Sequence, residues 1–146
     1  MSEFIRKKDS IVNEASVHDS RIKKVKLKND ELTLELDRCS ALTEDKGMAE
    51  FSPAYIRLEK FDKSEPMTSF RIFGKKKYSS TDFDGFLKML KNGDIRSAEI
   101  TEVFYRNIDI LIVGVLQKKK KWKEFQLRLC YFGDMAFGYD IPENSP

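Results

Sequence analysis

The sequence predicts an α+β fold, a twisted antiparallel sheet of about six to eight strands, open or curled towards a barrel, with one main helix near residues 81–92. Three observations lead there. Segments with two-residue alternation recur along the chain, as where Leu32, Leu34 and Leu36 alternate with Thr33, Glu35 and Asp37. Short polar turns separate them, which implies antiparallel pairing between neighbours. One stretch, residues 79–94, has helical spacing with both a start and a stop signal.

The elements follow in order. Residues 1–15 space Phe4, Ile5, Ile11, Val12 and Ala15 loosely at helical intervals, which predicts a short helix or an arm. From Ser20, "RIKKVKLKNDELTLELDRC" reads as two strands around a turn at Asn29-Asp30. Ile22 has the opposite parity to Val25 and Leu27, so a bulge or bend is expected between them. "ALTEDKGMAE" reads as a polar loop, and "AYIRLEKF" and "TSFRIFG" as a further pair of strands, with Pro66 ending any ladder. In "SSTDFDGFLKMLKNGD", Phe83, Phe86, Leu87 and Leu90 share one helical face. Thr81 is placed to cap that helix with Asp84 as its capping-box partner, and Asn92-Gly93 supplies the left-handed stop.

Three more strands close the chain: "IRSAEITEVFYR", "IDILIVGVLQ" and "KEFQLRLCYFG", turning at Asn107-Ile108 and at a run of lysines. The middle one is apolar on both faces over Ile110–Val115, the pattern of a strand covered on both sides, with the helix as one cover. Residues 141–146 read as a flexible tail.

Composition supports a single globular domain over residues 1–146. Hydrophobic residues make up 40% and aromatics 12%, with eleven Phe and five Tyr, enough apolar material to argue against disorder. Core packing is the ordinary use of that aromatic content; a pocket for a small molecule inside a curled sheet is the other use it suggests. The N-terminus has no apolar signal segment, and the apolar run Ile110–Leu116 is too short to cross a bilayer. A cytoplasmic protein with no membrane partner is expected, with Cys39 and Cys130 as reduced, buried thiols.

Net charge is only +3, from 27 basic against 24 acidic residues, so the distribution of charge matters more than its sum. Lys118, Lys119, Lys120, Lys121 and Lys123 bracket Trp122 between two strands. A hairpin tip is where adjacent lysines need no burial, and lysines there discourage edge-to-edge aggregation. Equally, a ring amid lysines can stack on a base while the charges track phosphates. Two more basic clusters exist, Arg21–Lys28 with Arg21, Lys23 and Lys24 at its start, and Lys75–Lys77; a shared face would make a footprint for a polyanion.

His18, followed by Asp19 and Ser20, is the one histidine. Metal-dependent phosphohydrolases with a His-Asp pair need further histidines, which excludes that chemistry, and no nucleophile-elbow pattern accompanies a triad. The remaining role is hydrogen bonding to backbone at the start of the first strand. Phosphate-binding glycine loops, zinc spacings and calcium loops are absent from the sequence, so no cofactor, metal or catalytic residue is assigned and no enzyme is expected.

The stretch "VHDSRIKKVKLKNDELTLELD", residues 17–37, resembles the opening of small bacterial proteins with a His-Asp-Ser/Ala-x-Ile strand motif, some of them similar to immunity proteins. His18, Asp19, Ser20 and Ile22 carry the resemblance. It implies a small cytoplasmic protein that neutralises another protein by binding it. The expected function is therefore a non-catalytic protein-binding module that occludes a partner's surface, with Lys118–Lys123, Arg21, Lys23 and Lys24 as contacts to an acidic partner. The alternative is a nucleic-acid-binding module that uses the Lys118–Lys123 tip with Trp122. An exposed edge strand also offers a route to a homodimer.

Overall fold

The computed structural model describes residues 2–6, 15–42 and 47–140. These hold β1 (Ser2–Arg6), β2 (Ala15–Ser16), β3 (Ile22–Lys28), β4 (Glu31–Leu36), β5 (Cys39–Leu42), β6 (Met48–Phe51), β7 (Ala54–Leu58), β8 (Ser69–Phe73) and β9 (Tyr78–Thr81). After them come α1 (Phe83–Asn92), β10 (Ile95–Tyr105), β11 (Asp109–Lys118), β12 (Lys121–Cys130) and β13 (Met135–Asp140). The first sheet has the order β1-β13-β7-β4-β3, the second β10-β11-β12-β8-β9, and a small third sheet β2-β5-β6. All pairings are antiparallel.

Alternation explains how the two large sheets hold together. Leu32, Leu34 and Leu36 of β4 point inward with Ile56 and Leu58 of β7, and all five are fully buried. Ile110 and Ile112 of β11 and Phe125, Leu127 and Leu129 of β12 do the same from the second sheet, and both sets belong to one cluster. Each such side chain contributes about 1.5–3 kcal/mol when removed from water. The sheets are tied along their sides by backbone: Asp19 donates to the Ile100 carbonyl at 2.8 Å, and Ile100 N–H donates to the Ser20 carbonyl at 2.7 Å. At the opposite end Phe61 bridges to Tyr131 and its N–H donates to the Asp30 carbonyl at 2.8 Å.

The α+β expectation is thereby corrected. Among the described residues the fold is mostly β, divided among three antiparallel sheets with no closed barrel and no single sheet of six to eight strands. The helix is present but short, and its start differs from the expectation. Thr81 ends β9, and Asp82 is the cap, its carboxylate accepting from Gly85 N–H at 2.9 Å; Gly93 ends the helix at φ 80°. Phe83 and Phe86 enter the core, the Phe86 ring 4.6 Å from Phe70 and the Phe83 ring 4.8 Å from Phe61.

Other departures have local reasons. Ser2–Arg6 is a strand paired with β13, where the spacing of Phe4 and Ile5 suggested a short helix or an arm; residues 7–14 and the expected tail at 141–146 lie outside the described residues. The expected polar loop at 41–50 is overlapped at its two ends by β5 and β6, paired from Cys39↔Phe51 to Leu42↔Met48. β7 and β8 are strands as expected but not partners, because the connection after Leu58 carries the chain from the first sheet to the second. The double cover expected for β11 is half realised. Its inward residues are buried, whereas Leu111, Val113 and Val115 stay half-buried on the outward face, since α1 packs on the inward side. The bulge expected in β3 falls between Ile22 and Lys24.

Two predictions follow from the packing. Gly114 lies where β10 shifts register around Glu99, and a Cβ there would run into the Glu99 carbonyl and, at 2.8 Å, the Phe125 ring. Gly114→Ala is expected to cost about 3 kcal/mol in urea unfolding, and a loss below about 1 kcal/mol would mean that β10 moves aside freely. Burial, then the Glu50 charge, pushes the Cys39 thiol up to about 12, and burial raises Cys130. A raised value leaves less thiolate, so near pH 8 a disulfide reagent should modify neither residue until the chain is unfolded; rapid reaction of the native protein would contradict this.

Candidate functional site

The β11–β12 hairpin closes at Lys118↔Lys121, with Lys119 (φ 51°) and Lys120 (φ 65°) as its two turn residues. Both are left-handed, the geometry in which Asn-Gly is favoured because its twist matches the flanking strands. A side chain with a full Cβ costs about 1–2 kcal/mol at each such position. Two lysines therefore occupy a turn that their backbone preference does not favour.

A second lysine hairpin stands beside this one. In the β8–β9 turn, Gly74 N–H donates to the Lys77 carbonyl at 2.8 Å, leaving Lys75 and Lys76 at the tip. β8 pairs with β12 at Phe73↔Glu124, which puts both tips at the same end of the second sheet. Between them is an open cleft of about 640 Å³ lined by Lys75, Lys76, Lys77, Tyr78, Lys118 and Lys123. On its other side, Lys118 with Lys119 and Lys120 lines a second cleft of about 560 Å³, shared with Arg96, Gln117, Asp94 and the end of the helix at Gly93.

Acids are few here, Asp94 in the second cleft and Glu124 beside Lys123. None of the lysines at positions 75–77, 118–121 and 123 forms an ion pair with another described residue. Trp122, 53% exposed, and Tyr78, 59% exposed, point outward beside them. Tyr78 is oriented by Phe73, ring centres 5.9 Å apart, and by the Arg71 guanidinium 5.4 Å from its ring. Away from the tips the outward face changes character. Leu111, Val113 and Val115 run down its middle, with Glu99, Glu102 and Glu124 among their strand neighbours.

The third basic cluster is not part of this end. Lys23 and Lys24 are exposed on β3, the edge of the first sheet, and Arg21 bridges to Glu99 through backbone while its N–H donates to Asp37 at 2.7 Å. β3 runs away from the tips, because the turn after Lys28 meets Phe61 at the end where Tyr131 follows β12. Exposed charges further apart than about 8 Å are largely screened at physiological salt, so the two adjoining hairpins form one basic patch and the far end of β3 another.

His18, Asp19 and Ser20 form a tight connection into β3. Ser20 is fully buried, its hydroxyl donating to the Val17 carbonyl at 2.5 Å. Asp19 takes φ 66°, and the Arg38 guanidinium donates to its carbonyl at 3.1 Å. The His18 ring is 3.1 Å from the Asp19 carboxylate, with both side chains more than half exposed. Asp19 and Ser20 tie the sheets together, and the three residues converge on no cleft shared with the lysine tips.

One residue escaped the sequence reading. Asp109 is 1% exposed at the start of β11, with Arg106 Nε at 3.0 Å and Arg128 Nε at 3.5 Å. The Arg106 N–H also donates to its carbonyl at 3.0 Å, so Asp109 fastens the β10–β11 turn. The signal was a carboxylate three residues after an arginine across a short turn. Among the described residues no group of three or more His, Cys, Asp and Glu side chains is placed to hold a metal ion, and no helix is long and apolar enough to cross a membrane.

Comparison with models of protein families, with curated proteins and with solved structures finds no match to this chain. The geometry of the tip makes its own prediction. Replacing Lys119 by Asn and Lys120 by Gly should raise stability by about 1–2 kcal/mol, read as a higher urea midpoint at unchanged slope. No gain would show that the lysines are at ease in the turn and that charge is not kept there at a cost.

Proposed function

We propose that the protein is a non-catalytic binding module that covers an acidic surface of another protein with the lysine end of its second sheet. The observation that carries this reading is the convergence of two lysine hairpins on one cleft, with no carboxylate paired to them among the described residues. Complementary charge would speed and select such an encounter, while Trp122 and Tyr78 supply the aromatic area typical of energetic centres in interfaces. A nucleic acid is the less favoured ligand, because Glu99, Glu102 and Glu124 break the basic surface just beyond the tips. A backbone track needs charge along its length. The likeness of residues 17–37 to immunity-protein openings agrees with a partner-neutralising role, and the buried thiols suit a cytoplasmic setting.

The test uses two probes, polyglutamate and a short oligothymidylate, each titrated at low and at physiological salt. Polyglutamate should bind more tightly, and changing Lys118, Lys119, Lys120 and Lys121 together to Ser should weaken it at least about tenfold, as loss of four exposed charge contacts implies. Tighter binding of the oligothymidylate would transfer the site to nucleic acid. Unchanged polyglutamate binding by the four-serine variant would remove the tip from the site.

A further inference from the structure

We infer that β9 seats an extended segment of the partner, which joins the second sheet as an added strand with its carboxylates over Lys75–Lys77. The inference rests on the reading of the lysine end as a site for an acidic protein, and it names how that protein is held. Strand addition needs an exposed edge whose backbone groups are free and whose side chains do not repel the incomer.

Three edges of the large sheets, β3, β10 and β9, differ in this respect. β3 presents Lys23, Lys24, Lys26 and Lys28, all exposed, a row that discourages pairing. β10 is interrupted by two register shifts and is tied at Ile100 to Asp19 and Ser20. β9 has neither defect. It reads Tyr-Ser-Ser-Thr, carries no charge, keeps a regular register with β8 from Phe70↔Thr81 to Phe73↔Tyr78, and its first three residues are exposed.

The phase of its hydrogen bonds can be read from the turn. Gly74 and Lys77 form a bonded pair, so bonding alternates to Ile72↔Ser79 and Phe70↔Thr81. The N–H and C=O groups of Tyr78 and Ser80 therefore face away from β8, and among the described residues none of the backbone bonds made outside the strand ladders reaches them. The strand also has a cleft at each end. One is the lysine cleft at Lys77, Tyr78 and Ser79; the other, about 400 Å³, is bordered by Lys63, Ser64, Ser80, Thr81 and Asp82. An extended chain along β9 runs from one to the other, and charge sets its direction: acidic residues belong at the Lys75–Lys77 end, away from Asp82.

The probe is a synthetic peptide of alternating threonine and valine with a run of glutamates at one end, carrying a fluorophore and followed by anisotropy. Two further versions carry N-methyl groups on one or the other alternate set of amides. Strand addition predicts that one methylated set abolishes binding and the other leaves it nearly intact, because only one side of the peptide bonds to β9. Ser80→Pro removes an outward N–H at an edge, where proline is tolerated, and should weaken the peptide at least about tenfold while polyglutamate binding is kept. Changing Lys75, Lys76 and Lys77 to Ser should weaken the peptide and flatten its salt dependence. Equal binding of both methylated peptides and the unmethylated one overturns strand addition, as does failure of the peptide to bind. In either case polyglutamate binding still decides the broader reading. Peptide binding that is sensitive to methylation but indifferent to the lysine changes overturns the acidic orientation.

Discussion

Each large sheet has one apolar face, and the burial of those two faces against each other is the constraint on which the rest of the molecule depends. Side chains alternate along a strand, so a slip of one residue in β4 would exchange Leu32, Leu34 and Leu36 for Thr33, Glu35 and Asp37 in the core. The register is fixed accordingly, and with it the place where the core stops. On β11 and β12 the last fully buried residues before the tip are Leu116 and Phe125. Beyond them the hairpin is largely exposed, with Gln117, Lys118 and Lys123 half-buried where β10 and β8 flank its base.

That boundary explains why charge can gather there. Lysines inside the sandwich would need partners, whereas at the tips they stay solvated and cost little beyond mutual repulsion and backbone strain. Strain is present at Lys119 and Lys120, whose left-handed turn suits smaller residues. A rigid platform stands beneath them, since Gly114 lets β10 and Phe125 close in on β11. Flexible side chains on a fixed backbone make a surface that adapts to charge without being reshaped by it.

Local features were legible in the sequence, and long-range ones were not. The helix was visible because Phe83, Phe86, Leu87 and Leu90 repeat at its period and Asn92-Gly93 ends it, although Asp82 outcompeted Thr81 as the cap. The β3–β4 hairpin was visible through Asn29-Asp30, and β10 to β12 through their apolar runs. β9, with serines and threonine and no apolar alternation, carried no strand signal, and β13 is too evenly apolar to show a period. The division into sheets was hidden for another reason. It depends on partners far apart in sequence, β1 with β13 and β8 with β12, and no local pattern names them. The same pairing of β8 with β12 brings Lys75–Lys77 to Lys118–Lys123, so the lysines could be found singly but their meeting could not.

The most direct test is a backbone-amide NMR titration of the whole protein with polyglutamate. Shifts should move together at Lys75–Lys77, Tyr78, Ser80 and Lys118–Lys123, fit one dissociation constant, and leave β3 still. Shifts centred on Lys23–Lys28, or the two hairpins moving with separate constants, would contradict a single lysine-lined site.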